Sequence, residues 1–590
     1  MNALLLLPCR LLFAVFVCLT PLLTAAPKPL WSLPLPGAAT WHSLTRTGSL
    51  IVGTDDALLC VDPESGALLW KDESFKKTSS FNVREIEGTP VLIANNQHGL
   101  AGSRTSLVAV DAVTGKRLWE APEIIGQYLG TVPAVEQGLV LLLISGHEEG
   151  EGNGTFIHAF ELVTGKERWR TRYAGAGAIT LHKGDSATLF SPRMDLSGHQ
   201  EPVIKGDRMY LPYLGVHCLD LGSGKILWAV PFEAADRVNK RAYPALRIDG
   251  EQLFAGGGGE VYCIRLETGD LVWKSSRVAA SGLKVWKDAV FSQIEVMGDR
   301  VFVRMGGNYS DGKEVVLKKP LGVLALDRAT GHELWRAKDI DDGITNLLPL
   351  PEKDLLLCAD GGNLIGIDAK AAAYTERFRV KIEFKRKMGG ADVAKIGLGV
   401  LGGVTGLAKA TLSSGKSRLD VPVALIRAGD KVGVAGKQHI LCFDPVSQRI
   451  DWSLYYAAPS NAFATAAMFA VTALAAVGGN AQVAASGGIG SSGFSDGVSN
   501  IQGALDSYNR YTERVSQRIH SRQSESFSYI LTNVEEAKHK DVGVVGVNLR
   551  TGDTDRQLAL GEKEPDYQVD EATGRLFHFK DKTRIDAFQF

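Results

Sequence analysis

The chain is poor in cysteine, with 7 in 590 residues, and equally poor in methionine. No two cysteines are adjacent and no C-x-x-C occurs, so neither a redox pair nor a cysteine metal cluster is suggested. An excess of one charge is also missing. Lys and Arg total 65 against 66 Asp and Glu, a formal net charge of -1. That balance gives no electrostatic footprint for nucleic acid as a partner. There is no Ser-His-Asp motif, zinc spacing or cytochrome haem motif, and no residue is nominated as catalytic, cofactor-binding or metal-ligating.

What the chain has is a repeat. Asp62, Ser65, Gly66 and Trp70 stand at fixed offsets. The same offsets hold Asp111, Thr114, Gly115 and Trp119; Glu161, Thr164, Gly165 and Trp169; and Asp220, Ser223, Gly224 and Trp228. They hold again for Arg265, Thr268, Gly269 and Trp273, and for Asp327, Thr330, Gly331 and Trp335. Each copy reads as a strand, a tight turn capped by the acid, and a second strand opening on tryptophan. Later copies decay. Ile367-Asp368 lacks the glycine and tryptophan, Gln448 replaces the glycine before Trp452, and Arg556 stands where the copy at Asn548 should have tryptophan. Successive intact tryptophans are roughly 45 to 62 residues apart, which suits a four-stranded blade. An all-β propeller follows, because radial sheets leave only short edges. Leu30-Trp31-Ser32-Leu33 resembles the strand after a turn whose own turn is missing. The C-terminal pair, 576–579 and 585–588, is one strand short, so the two ends complete one blade.

The pattern A-x-D-x-x-T-G-x-x-x-W resembles the repeat of the pyrroloquinoline-quinone (PQQ) dehydrogenases and their non-enzymatic relatives. Those relatives include the propeller lipoprotein of the outer-membrane protein assembly machinery. The resemblance covers most of the chain from Trp31 to Phe590. It implies a PQQ-like β-propeller; the strand-turn units number nine or ten with the degenerate ones, but the family usually has seven or eight blades, so eight are expected, with some late units in insertions or distorted blades. It also implies that Trp70, Trp119, Trp169, Trp228, Trp273, Trp335 and Trp452 pack between neighbouring blades. In many of the enzymes the quinone lies between a tryptophan and a disulfide of adjacent cysteines, with calcium beside it. The missing cysteine pair departs from that pattern, and no calcium ligand or base can be carried over.

Taken in order, residues 1–26 read as a signal peptide. Arg10 flanks an apolar run over 11–23 that is too short for an ordinary span, and Thr24-Ala25-Ala26 is a small-residue exit. Neither Cys9 nor Cys18 has the small residues before it that lipid attachment needs. Blades are expected over 27–384, an insertion over 385–420, a blade over 421–456, a second insertion over 457–523, and closing blades over 524–590. Cys60, Cys218, Cys263 and Cys442 share one position, two residues before the turn, where other copies have alanine. Buried free thiols are expected there. The acidic, glycine-rich stretch 146–154 reads as a hairpin tip. The loop 193–202 carries Asp195, His199 and Glu201 with nothing to fix their geometry. Glycines 256–259 read as a tight turn, and residues 378–384 as a strand with one apolar and one mostly basic face.

Both insertions are apolar and partly helical. Residues 396–412 are rich in glycine and small apolar side chains, and 462–477 are nearly all apolar, followed by a Gly/Ser/Ala tract to 497. Ser499 and Gln502 form a capping box for a helix. Its apolar face is Ile501, Leu505, Tyr508, Val515 and Ile519, and its polar face Asp506, Arg510, Arg514 and Arg518. The expectation is a non-catalytic envelope scaffold without cofactor, serving protein–protein interaction, with outer-membrane protein assembly as the implied setting. Envelope proteins would be held through 385–420 and 457–523, with peripheral membrane contact and no nucleic acid. The location expected is periplasmic or secreted, in a Gram-negative envelope. A PQQ-dependent dehydrogenase of alcohols or sugars, and a structural or adhesive envelope propeller, are the alternatives.

Overall fold

The computed structural model describes residues 28–590 apart from 100–102, 176–201, 213–214, 233–244, 258, 279–290, 311–314, 338–339, 341–343, 383–421, 423, 437–438, 457–504, 506, 523–526, 537–538, 555 and 563–564. The leader at 1–26, the loop residues Asp195, His199 and Glu201, the 385–420 insertion and the apolar run at 462–477 therefore lie outside the described residues.

Within a blade the described strands form an antiparallel meander in which each pairs with the next in sequence, and Ile124 and Ile125 at the start of blade 3 also pair with Thr105 and Arg104 of blade 2. Blade 1 runs from Ala39–Leu44 to Leu68–Asp72, blade 2 from Val83–Glu85 to Arg117–Glu120, and blade 3 from Ile124–Ala134 to Glu167–Gly175. Blades 4, 5 and 6 end on Ile226–Val230, Leu271–Lys274 and Glu333–Ala337. Blades 7 and 8 end on Glu376–Lys381 and Arg449–Tyr455. Blade 9 contributes Phe527–Glu536, His539–Asn548 and Arg556–Ala559, with no described strand in its innermost place. Blade 10 combines Tyr567–Asp570, Arg575–Lys580 and Arg584–Gln589 with the N-terminal strand Trp31–Pro34. The two ends do complete one blade, through the register Trp31↔Ala587 to Pro34↔Arg584.

The strands thus form ten units among the described residues, where eight were expected. An apolar cluster joins each unit to the next, from Ile51 and Val108 between blades 1 and 2 to Tyr529 and Leu576 between blades 9 and 10. Leu50 and Phe577 join blade 10 back to blade 1, so the packing runs round a closed ring. The strand-turn units of the sequence number nine or ten with the decayed copies included, and the expectation of eight comes from the usual blade number of the family. Blade 7 has a turn two residues longer, and Phe378 stands opposite Gly366 where other blades set tryptophan opposite a small residue. Blade 9 sets Arg556 opposite Gly546, with its guanidinium over the Phe527 ring and donating to Tyr529 Oη at 2.9 Å.

The repeat residues perform two jobs. Within a blade, tryptophan pairs across the ladder with a small residue: Trp70 with Cys60, Trp119 with Ala109, Trp169 with Ala159, Trp228 with Cys218. This is why cysteine and alanine alternate there. Cys60, Cys218, Cys263, Cys358 and Cys442 are all free and buried. Burial pushes their thiols up, to about 11 at Cys218 and about 12 at Cys60. Between blades, the indole docks on the following turn. Trp119 Nε1 donates to Leu162 O at 2.8 Å, Trp169 Nε1 to Leu221 O at 2.8 Å and Trp273 Nε1 to Arg328 O at 2.8 Å. A Cβ on Gly115 would lie 2.3 Å from Trp70 Cγ, and Gly115 has φ +73°, so the turn needs glycine for both space and conformation. Gln448 takes the same left-handed conformation, at φ 57°, in blade 8, which follows the blade lacking tryptophan.

The turn acid caps its own turn. Asp111 Oδ1 accepts from Val113 N at 2.8 Å and Thr114 N at 3.0 Å, and Asp327 Oδ1 from Ala329 N at 3.1 Å and Thr330 N at 2.8 Å. The 146–154 stretch is the hairpin tip expected, with His147 opposite Asn153. Gly257 pairs with Glu260 across the turn expected at the four glycines. Phe378 and Ile382 are buried, in line with the apolar face expected for 378–384.

Trp119→Ala removes a large side chain 8 % exposed and its bond to the next blade. We expect a loss of about 3–5 kcal/mol. Leu271→Ala, at a side chain 50 % exposed, should change stability by under about 0.5 kcal/mol. Denaturant titration of both variants checks the contrast.

Candidate functional site

Each blade turns twice on the same face of the ring, between its first and second strands and between its third and fourth. On this face lies α1, Tyr508–Arg522, the one helix longer than a single turn among the described residues. The capping box expected at Ser499 and Gln502 lies outside the described residues. Tyr511 N donates to Ser507 O at 2.9 Å to open it. Leu505 and Tyr508, three apart, enter the apolar cluster between blades 2 and 3.

Two arginines of the expected polar face, Arg514 and Arg518, meet the ring, as does Ser507 just before the helix. Ser507 Oγ donates to Asp111 Oδ2 at 2.5 Å. Arg514 Nη2 lies 4.0 Å from Asp62 Oδ2. Arg518 grips Asp570 with both arms, Nη1 to Oδ2 at 2.5 Å and Nη2 to Oδ1 at 2.8 Å, and the Asp570 side chain is 1 % exposed. Asp111 and Asp62 are repeat acids of blades 2 and 1. Asp570 opens a further copy of the turn code, Asp570, Thr573 and Gly574, placed between the first two strands of blade 10. That copy was legible in the sequence and was missed because no tryptophan follows it.

Beneath the helix, Glu85 ends the innermost strand of blade 2. Its two carboxylate oxygens accept from Arg46 N at 3.0 and 2.9 Å. Burial pushes the Glu85 carboxyl up to about 7, while the Arg46 amide and the charges of Arg46 and Arg518 pull it down. Glu87 raises it further and itself pairs with Arg46 Nη2 at 2.6 Å. Burial also pushes up the Tyr511 hydroxyl, with Glu85 adding to the shift. Nothing in the sequence around Glu85 signals this, because Tyr511 and Arg518, which act on it, lie far along the chain.

Nearer the axis, side-chain amides tie neighbouring innermost strands. Gln293 Nε2 donates to Leu347 O at 2.8 Å, and Leu347 N donates back to Gln293 Oε1 at 2.8 Å. Asn346 makes the same exchange with Leu425, at 3.1 and 2.8 Å. At the seam between blades 10 and 1, His42 Nε2 lies 2.8 Å from Asp566 Oδ1, and its ring stacks on Phe579 at 3.9 Å. Burial raises the Asp566 carboxyl, but the His42 bond and charge hold it below the usual range.

Among the described residues, no group of three His, Cys, Asp or Glu stands close enough to hold a metal ion. A cleft of about 280 Å³ between blades 5 and 6 is lined by Glu251, Gln252, Arg265, Val272 and Arg328. Its Arg328 is already held by Asp249 Oδ2 at 2.6 Å. No described helix is long and apolar enough to cross a membrane.

A family model described as outer membrane protein assembly factor BamB, of the PQQ-like repeat type, matches residues 31–171, 103–212 and 214–377, more than half of the chain. The chain belongs to the PQQ-like propeller family. Among solved structures it is similar to BamB from Moraxella catarrhalis, at 13% identity over 69% of this chain and 96% of that one, with a TM-score of 0.36. It is similar to a europium-containing methanol dehydrogenase at 14% identity, over 73% of this chain and 81% of that one, with a TM-score of 0.33. A quinohemoprotein alcohol dehydrogenase from Pseudomonas putida HK5 gives 13% identity over 70% and 71%, with a TM-score of 0.30. Likenesses at this level carry no argument about activity. No curated protein matches the chain.

The sign of the Glu85 effect follows from its raised value. Between the ordinary carboxyl value of about 4.3 and about 7 the folded protein holds the extra proton, so stability falls as pH rises through that window. We expect unfolding free energy to drop by about 1–3 kcal/mol from pH 5 to pH 8 through this group. Glu85→Gln should flatten that part of the profile, and denaturant titrations across the range check it.

Proposed function

We propose that the protein is a non-catalytic scaffold of the cell envelope that holds partner proteins on the faces of its ring. The observation that carries this reading is the family match over residues 31–377, described by an outer-membrane protein assembly factor. The chemistry of the described residues is in keeping with it. The tryptophans and turn acids are used in holding blades together, and the cysteines are buried among apolar side chains. A rigid ring with turns on both faces offers several binding edges at once, including backbone that accepts an added strand.

On this reading residues 1–26 are an export leader and the mature protein works in a Gram-negative periplasm, peripheral to the membrane. The chain divides into blades over 27–384, 421–456 and 524–590, and partner-binding insertions over 385–420 and 457–523. The assembly of outer-membrane proteins is the setting that the family description suggests.

Calorimetric titration of the calcium-loaded mature protein with PQQ, with a dye-linked assay for alcohol and sugar oxidation, tests the reading. We expect no saturable binding and no turnover. Stoichiometric binding with quinone-dependent turnover would replace the scaffold by a dehydrogenase. Photo-crosslinkers placed in the two insertions of the exported protein should capture envelope proteins, and capture of none would remove the scaffold role.

A further inference from the structure

Ring closure is the weak point of any propeller whose chain ends share a blade. Here the seam is one ladder of four residues, Trp31–Pro34 against 584–587. It is joined by Ser32 Oγ donating to Asp586 Oδ1 at 2.6 Å, Trp31 Nε1 donating to Pro63 O at 3.2 Å, the His42–Asp566 contact, backbone bonds from Leu30, Leu35 and Ala39, and the apolar cluster that holds Leu50 and Phe577. Short terminal strands are the first to open in local fluctuations.

The helix α1 crosses this seam. Its contacts fall on blade 10 through Asp570, on blade 1 through Asp62, and on blades 2 and 3 through Asp111 and the cluster holding Leu505 and Tyr508. Its C-terminal end leads within five residues to Phe527, the first described residue of blade 9. A Cβ added to Gly48, in the first turn of blade 1, would lie 2.3 Å from Arg518 Nη1, so that turn and the Arg518 side chain are in direct contact. One element thus touches both sides of the closure, and it is tied covalently to the blade before it.

We propose that α1 is a clasp that holds the ring shut at the blade 10 to blade 1 seam, with the Arg518–Asp570 pair as its catch. The chain ends can separate only after this pair parts or the helix tilts off the turns of blades 1 and 2. Around the clasp, Glu85 faces Arg46, Glu87, Tyr511 and Arg518.

Hydrogen–deuterium exchange on the full chain tests this. In Arg518→Gln, Trp31–Pro34 and Arg584–Gln589 should exchange at least about tenfold faster than in the parent protein, while Leu355–Ala359 of blade 7 stays within about twofold. Equal acceleration in blade 7, or an unchanged seam, would overturn the clasp. Should Arg518→Gln fail to fold, Arg518→Lys, which keeps the charge and loses the two-armed grip on Asp570, carries the test. It should speed seam exchange several-fold and leave blade 7 alone. Seam exchange that is unchanged in this variant, or blade 7 accelerated with it, would count against the proposal.

Discussion

The structure depends on one contact made again and again: an indole wedged into the turn of the next blade. The contact has three parts, each supplied by a different repeat residue. A small residue on the third strand leaves room beneath the ring, the glycine lets the following turn approach its face, and at Trp70, Trp119, Trp169 and Trp273 a turn carbonyl takes the N–H, whereas Trp228 and Trp335 pack there without that bond. Sheets set radially have few other means of holding a fixed angle. Dispersion between flat strands would tolerate sliding, whereas an aromatic plate with one directed hydrogen bond fixes both spacing and twist. The cysteines belong to the same device, as small residues that fill the ladder opposite tryptophan.

Where the device is lost, the ring uses substitutes, and those places were hardest to see in the sequence. Phe378 takes the tryptophan's place opposite Gly366 after a longer turn, so the fixed offsets that identify the other blades fail there. Arg556 stands opposite Gly546 and covers an aromatic ring with its guanidinium. Six intact copies made the propeller legible from the chain alone, and so did the pairing of Trp31 with the C-terminal strands. The blade number was half legible: nine or ten units could be counted, but copies that keep the shape and have lost the code could not be told from insertions or distorted blades. The helix seat was half legible. The apolar spacing of Leu505 and Tyr508 was visible, but nothing showed that Arg514 of the polar face would approach Asp62, near the other end of the chain, or that Arg518 would bind Asp570.

This last point bears on function. The turn acids cap their own turns and still have an oxygen to offer, as Asp111 does to Ser507. A repeat that keeps blades in place therefore also presents a row of acceptors on one face, and α1 uses three of them. A scaffold reading gains from this, since the surface that holds an element of the same chain is built from features common to the whole ring. Family membership fixes the architecture and leaves the partner to be found by experiment.

The central claim is that ten units, counting the two degenerate ones and the shared terminal blade, form one closed ring. Electron cryomicroscopy of the purified protein tests it most directly, through views down the axis. The account predicts ten radial blades around a single axis, with a rod of helical density across the turns of three adjacent blades. A ring of eight blades with strands 376–381 or 527–559 packed outside it would contradict the account.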